Sequence, residues 1–132
     1  MDQLVTKYYR SLLRNGFKYN GSLDNPSIFL DSVGEKIRVC GGNISNYMHI
    51  FIRIKDEVID DIKYLCLCDP AANVVVEILC SCVIGKTISE AQGISVDDFF
   101  KTLGSQDNDF LKKAGSIIDL MNRGINRFVN KI

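Results

Sequence analysis

The chain has 132 residues, with 16 Lys+Arg against 16 Asp+Glu and a formal net charge of zero. That balance speaks against a dedicated nucleic-acid binder, which carries a clustered basic excess, and no apolar run approaches the about 20 residues that a membrane-spanning helix needs. Apolar residues at 46% and charged residues at 24% are ordinary for a soluble globular protein, and the length predicts a single domain over residues 1–132. The first residues, MDQLVTKYYR, are polar and lack the apolar core of a secretory signal, so the chain is expected to stay where it is made. Five cysteines is an odd number, and in a reducing compartment they are expected mostly to remain thiols.

In chain order, Leu4, Val5, Tyr8, Tyr9, Leu12 and Leu13 fall on one stripe at helical spacing and predict a helix over residues 3–14, stopped at Gly16. Residues 17–28 repeat Gly, Asn, Ser and Pro and read as loop. Residues 36–40 are a weak strand candidate before Gly41-Gly42. From Tyr47 the period becomes two. Met48, Ile50, Ile52 and Ile54 share one face; Tyr47, His49, Phe51 and Arg53 share the other. A polar break at Lys55-Asp56-Glu57 makes residues 58–67 the returning strand of a hairpin.

Asp69-Pro70 opens a helix. The Asp side chain accepts from free backbone N–H groups, and Pro lacks an N–H where none is needed. This helix runs to about Ile84, is apolar nearly all round, and so is expected to be buried on several sides. Gly85 ends it. Thr87 with Glu90 forms a capping box for a helix over 88–92. Ser95 caps another over 96–103, and residues 105–109 read as loop. A last helix follows, with Phe110, Ala114, Ile117, Ile118, Met121, Ile125 and Phe128 in a stripe. The order of elements predicts an α+β domain: a small antiparallel sheet of about three strands with helices packed on it.

Three patterns bear on chemistry. Gly85-Lys86-Thr87 looks like the end of a phosphate-binding loop, but position 80 is Cys rather than the required Gly and the tripeptide ends a helix, so a nucleotide site is not expected. His49 is the sole histidine and sits mid-strand; an enzyme built on it needs a thiol or hydroxyl beside it. The cysteines are the third pattern. Cys80 and Cys82 lie two apart on a helix, point in different directions and read as core. Cys66 and Cys68 lie two apart on a strand and share a face next to the helix start at Asp69, whose positive end favours thiolate. Cys40 is a candidate third donor. A set drawn from Cys40, Cys66, Cys68 and Asp69 suits zinc or the iron of a cluster.

The whole order resembles the NifU N-terminal domain and IscU type of iron–sulfur cluster assembly scaffold. The carrying residues are Val33-Gly34, Cys40-Gly41, Met48-His49-Ile50, the ungapped IDDIKY to SEAQ segment (residues 59–92), and the long helix from Phe110 to Phe128. The resemblance implies a non-catalytic scaffold that holds a nascent cluster. Its partners would be a cysteine desulfurase, cluster acceptor proteins or a chaperone, in the bacterial cytoplasm or the mitochondrial matrix. The ligand motifs depart from the family's. Its Cys-Gly-Asp motif falls on Ile44, Ser45 and Asn46 if aligned without a gap, and on Cys40-Gly41-Gly42 only if the turn is longer. Gly42 then replaces the acidic residue that promotes cluster release. The second ligand falls on Asp69, or on Cys68 if shifted by one. The third falls near Lys112 and Lys113, whose ammonium groups have no free lone pair at neutral pH. The resemblance therefore implies a reduced site of Cys40, Cys68 and Asp69, with an iron–sulfur cluster or zinc as the bound group. The alternative is a metal-free relative that keeps the fold and binds partners.

Overall fold

A computed structural model of the chain describes residues 2–39 and 45–131. The elements run α1 (Gln3–Asn15), β1 (Ile28–Asp31), β2 (Tyr47–Lys55), β3 (Val58–Leu67), α2 (Pro70–Val83), α3 (Ile88–Gln92), α4 (Val96–Leu103) and α5 (Asn108–Asn130). The three strands form an antiparallel meander in the order β1-β2-β3. This is the α+β architecture that the sequence predicts.

Alternation sets the two faces of the sheet. Ile28 pairs with Ile52 and Leu30 with Ile50, and all four are buried together with Met48 and Ile62. Helices cover this face: α5 packs on β1, and α2 on β3. The opposite face carries Phe29, Tyr47, His49 and Phe51, all at least partly exposed. Asp56 and Glu57 join β2 to β3 with φ of +51° and +63°. Left-handed backbone at both central residues matches the right-handed twist of a two-residue hairpin.

α2 lies at the centre, against α1, α3, α4, α5 and β3. Its sequence leaves it no polar stripe, so every side must be covered. Val74, Val75, Val76, Ile78, Leu79 and Val83 are all inaccessible to solvent. α5 approaches the sheet closely at Gly124. A β-carbon there would stand 2.4 Å from Leu30 Cδ2 and 2.9 Å from Ile28 Cγ2, so glycine in mid-helix is required by packing despite its low helix propensity. No helix among the described residues is long and apolar enough to cross a membrane.

Several expectations change. Residues 36–39 are not a strand, and Lys36 has a φ of +58° that interrupts extended backbone. The edge strand lies earlier, at Ile28–Asp31, where only four residues alternate and the periodicity is too short to stand out. On α1 the buried stripe is narrower than predicted: Val5 is buried, while Leu4 and Leu13 are exposed. α5 begins two residues before Phe110, because Asp107 accepts the Phe110 N–H and caps it.

Candidate functional site at the turn between the third strand and the central helix

The candidate donors meet where β3 hands the chain to α2. Leu67 ends the strand, Cys68 follows it, and Asp69 is the N-cap of α2. Asp69 Oδ1 accepts the Ala72 N–H at 2.8 Å. One carboxylate oxygen is thereby committed to the helix, and Oδ2 is left for other chemistry.

Cys66 and Cys68 differ. Cys66 pairs with Met48 across the sheet and follows Tyr64 and Ile62 on the covered face. Its thiol donates to Asn73 Oδ1 at 3.1 Å. Burial, then the Asp69 and Glu77 carboxylates, push it up to about 11. The thiolate-favouring effect of the helix start is therefore overridden at Cys66, since desolvation and nearby negative charge both disfavour the anion. Cys68 lies past the strand end, its Sγ 3.3 Å from the Tyr47 carbonyl oxygen, and it is disulfide-bonded. Cys40 lies outside the described residues, as do Gly41, Gly42 and Ile44.

The start of α5 completes the site. Lys113 Nζ stands 3.6 Å from Asp69 Oδ2 and 2.6 Å from Asp109 Oδ1, and its side chain is only 11% exposed. Lys112 is exposed. Beside this pair a cleft of about 560 Å³ is lined by Asp2, Asp69, Pro70, Ala71, Asp107 and Asp109. Asp2 and Asp107 are engaged as helix caps. Among the described residues no group of three His, Cys, Asp or Glu side chains is placed to hold a metal ion.

Two features went unread in the sequence. The Lys113–Asp69 contact joins residues 44 apart in the chain, though half of the cluster was visible as the Asp109/Lys113 spacing of four on a helix. Glu77 is a buried carboxylate in an otherwise apolar helix, accepting the Tyr19 backbone N–H at 3.2 Å. Its signal was a lone acid in VVVEILC. Burial and then Glu77 raise the Cys80 thiol well above its ordinary range, so Cys80 is an inert core thiol. Cys80 is fully buried and Cys82 only partly so, consistent with their different directions on α2.

The other sequence candidates have ordinary roles. Gly85, with a φ of +77°, ends the α2 segment and donates its N–H to Ile59, and Thr87 caps α3 in a reciprocal box with Glu90. His49 Nε2 stands 3.5 Å from Asp31 Oδ1 on the open face of the sheet, between the rings of Phe29 and Tyr47.

No protein-family pattern and no curated protein matches the sequence. Solved structures do match. A protein named as an iron–sulfur cluster assembly scaffold for the SUF system, SufU, from Fervidobacterium islandicum AW-1 is 14% identical; it superposes with a TM-score of 0.64 over 95% of this chain and 96% of that one. The N-terminal portion of a nitrogen-fixing NifU-like protein from Brucella abortus is 12% identical, with a TM-score of 0.64 over 99% of this chain and 95% of that one. At such identities the likeness is one of fold, and the fold is the one that the sequence resemblance implied.

Proposed function

We propose that this chain is a divergent, non-enzymatic scaffold of iron–sulfur cluster assembly that holds iron, an iron–sulfur fragment or zinc as cargo on Cys68 and Asp69, with Cys40 as the third donor. The observation that carries the reading is the adjacency of Cys68 and Asp69 at the junction of β3 and α2, in a chain whose fold, along nearly its full length, is that of a protein named as a cluster assembly scaffold and of the N-terminal part of a NifU-like protein. Fold likeness alone is a weak warrant for function, so the donor chemistry must bear the weight. A thiolate and a carboxylate are both competent iron and zinc ligands, and clusters accept ligands other than cysteine. Cys68 supplies its sulfur only after its disulfide is reduced. Cys66 is a reserve donor, held protonated in the fold. The partners would be a cysteine desulfurase that delivers sulfur, and a chaperone or acceptor that takes the cluster. The setting would be the bacterial cytoplasm or the mitochondrial matrix.

The test is metal and acid-labile sulfide content of the reduced protein, purified without oxygen, and of Cys40→Ala and Cys68→Ala. Stoichiometric iron with sulfide, or zinc, lost in both variants is the expected result. A reduced wild-type chain that takes no metal even when supplied with iron, sulfide and thiol would overturn it. A metal-free partner-binding role would then stand in its place.

A further inference from the structure

Lys7, Arg10 and Arg14 stand three and four residues apart on α1, so they form one row along its solvent side, and all three are exposed. With Gln3 and Thr6 they line a shallow hollow of about 540 Å³. The row is uncompensated. Three cations on α4 and α5 are each answered by an acid four residues earlier: Asp97 for Lys101, Asp109 for Lys113 and Asp119 for Arg123. The α1 sequence, QLVTKYYRSLLRN, contains no acid, and none of its three cations enters an ion pair among the described residues. Asp2, which caps the helix, commits its carboxylate to the Leu4 and Val5 N–H groups and the Ser105 hydroxyl. Like charges at these spacings repel, and the helix dipole favours only Arg14, in the last turn. Within the fold the row is therefore mildly destabilising, and an anion from outside would relieve it.

Two leucines choose among anions. Leu4 and Leu13 are 42% and 59% exposed. At about 100° per residue they lie on opposite edges of the row, about 180° apart round the helix. A flat bilayer resting on the row reaches neither edge, and a phosphate backbone offers them nothing apolar. Peptide side chains can meet both needs, with carboxylates on the row and apolar groups down its flanks. We propose that the exposed face of α1 is a docking surface for an acidic, leucine-bearing segment of a partner protein. The surface uses no residue of the turn between β3 and α2, so it stands or falls independently of the metal reading.

The probe is a fluorescein-labelled peptide of repeated Glu-Glu-Leu, about 15 residues long so that it spans α1, titrated with the reduced full chain and read by fluorescence anisotropy. A Glu-Glu-Ser peptide, oligo-dT and phosphatidylserine vesicles are the comparison probes. Wild type is set beside the triple variant Lys7→Gln, Arg10→Gln, Arg14→Gln, the double variant Leu4→Gln, Leu13→Gln, and a control triple, Lys55→Gln, Lys86→Gln, Lys131→Gln, at exposed cations away from α1. Gln keeps helix propensity, and circular dichroism checks that each variant folds. Losing the row is expected to weaken the Glu-Glu-Leu peptide about tenfold or more. Losing the leucines should weaken it about threefold or more, with no such loss for Glu-Glu-Ser, and the control triple should bind like wild type. Absence of peptide binding overturns the docking surface. An equal loss in the control triple reduces binding to net charge and overturns it too. Oligo-dT or vesicles bound more tightly than the peptide, through the row and indifferent to Leu4 and Leu13, would give the row to a nucleic acid or a membrane instead.

Discussion

The two ends of α2 obey different physics. From Val74 to Val83 the helix is held mainly by buried apolar side chains, with Ser81 alone exposed and Cys82 half-buried. Such contacts are non-directional, and cores accept many volume-conserving exchanges. That is how a chain 14% identical to a solved scaffold can keep its fold. At the other end, Asp69, Asn73, Cys66 and Lys113 are linked atom to atom. One substitution there changes which atom is free, charged or protonated. The framework absorbs substitutions without changing its chemistry; at the site each substitution changes the chemistry.

The largest expected effect comes from breaking the apolar end. Phe110 opens the buried stripe of α5, is inaccessible to solvent, and meets Phe99 edge to face at 6.4 Å between ring centroids. Phe110→Ala is expected to cost about 3–5 kcal/mol, transfer and cavity terms together. Urea unfolding monitored by circular dichroism would show it as a fall in midpoint with an unchanged slope. A loss under about 1 kcal/mol, well below the usual cost of such a deletion, would mean that α5 is not anchored through this residue.

Next comes thiol chemistry at the polar end. With its value raised from the ordinary 9.0 to about 11, Cys66 is mostly protonated at pH 8. Alkylation there should be about a hundredfold slower than at a free peptide cysteine, because only the thiolate attacks. The sign for stability follows. A raised value means that the fold favours the neutral thiol, so this stabilising contribution is complete below about 9 and is lost as pH rises through about 11. Alkylation followed residue by residue in a mass spectrometer checks the rate. Asp69→Asn removes one of the charges that raise Cys66 and should speed its reaction. Peptide-like reactivity of Cys66 in the folded wild type would refute the picture of a half-buried, acid-flanked thiol.

How far the sequence carried this comparison depended on whether a feature repeats. The alternation of β2, the apolar run of α2 and the stripe of α5 each recur over several residues, so periodicity alone placed them. The cap at Asp69 and the box at Thr87 and Glu90 are local and were legible for that reason. β1 was missed because Ile28 and Leu30 offer only two beats of a period. The Lys113–Asp69 pair was missed because nothing local couples the start of α5 to the start of α2. Cys66 and Cys68 are both half-buried against the core, as the shared face implied, but the strand ends at Leu67 between them, and only Cys66 hydrogen-bonds to Asn73. The Cys40 candidate falls outside the described residues, and its part in the donor set rests on the resemblance.

A smaller effect separates the two duties of Asp69. Asp69→Ala loses both the cap on Ala72 and the charge facing Lys113, and is expected to cost about 1 kcal/mol, the usual value of an N-cap. Asp69→Asn keeps a capping oxygen and should recover most of that in thermal unfolding. Equal losses in the two variants would show that the charge rather than the cap holds this turn, and would bring the polar end closer to an ionic lock than to a helix cap with a spare oxygen.

The smallest effect belongs to a contact that looks strong on paper. Arg127 reaches Glu35 with both terminal nitrogens, at 3.1 and 2.6 Å, and Arg123 donates to the Glu35 carbonyl at 3.2 Å. The pair ties the loop after β1 to the last turns of α5. Yet the Arg127 side chain is 50% exposed, and water screens an ion pair in such a place. Glu35→Gln is therefore expected to cost under about 1 kcal/mol, and the difference from wild type should shrink further at high salt, where the screening length falls to a few ångströms. Urea midpoints at low and high salt measure both. A large, salt-independent loss would place Glu35 with the packed framework and would mean that its contacts with Arg123 and Arg127 are shielded from water.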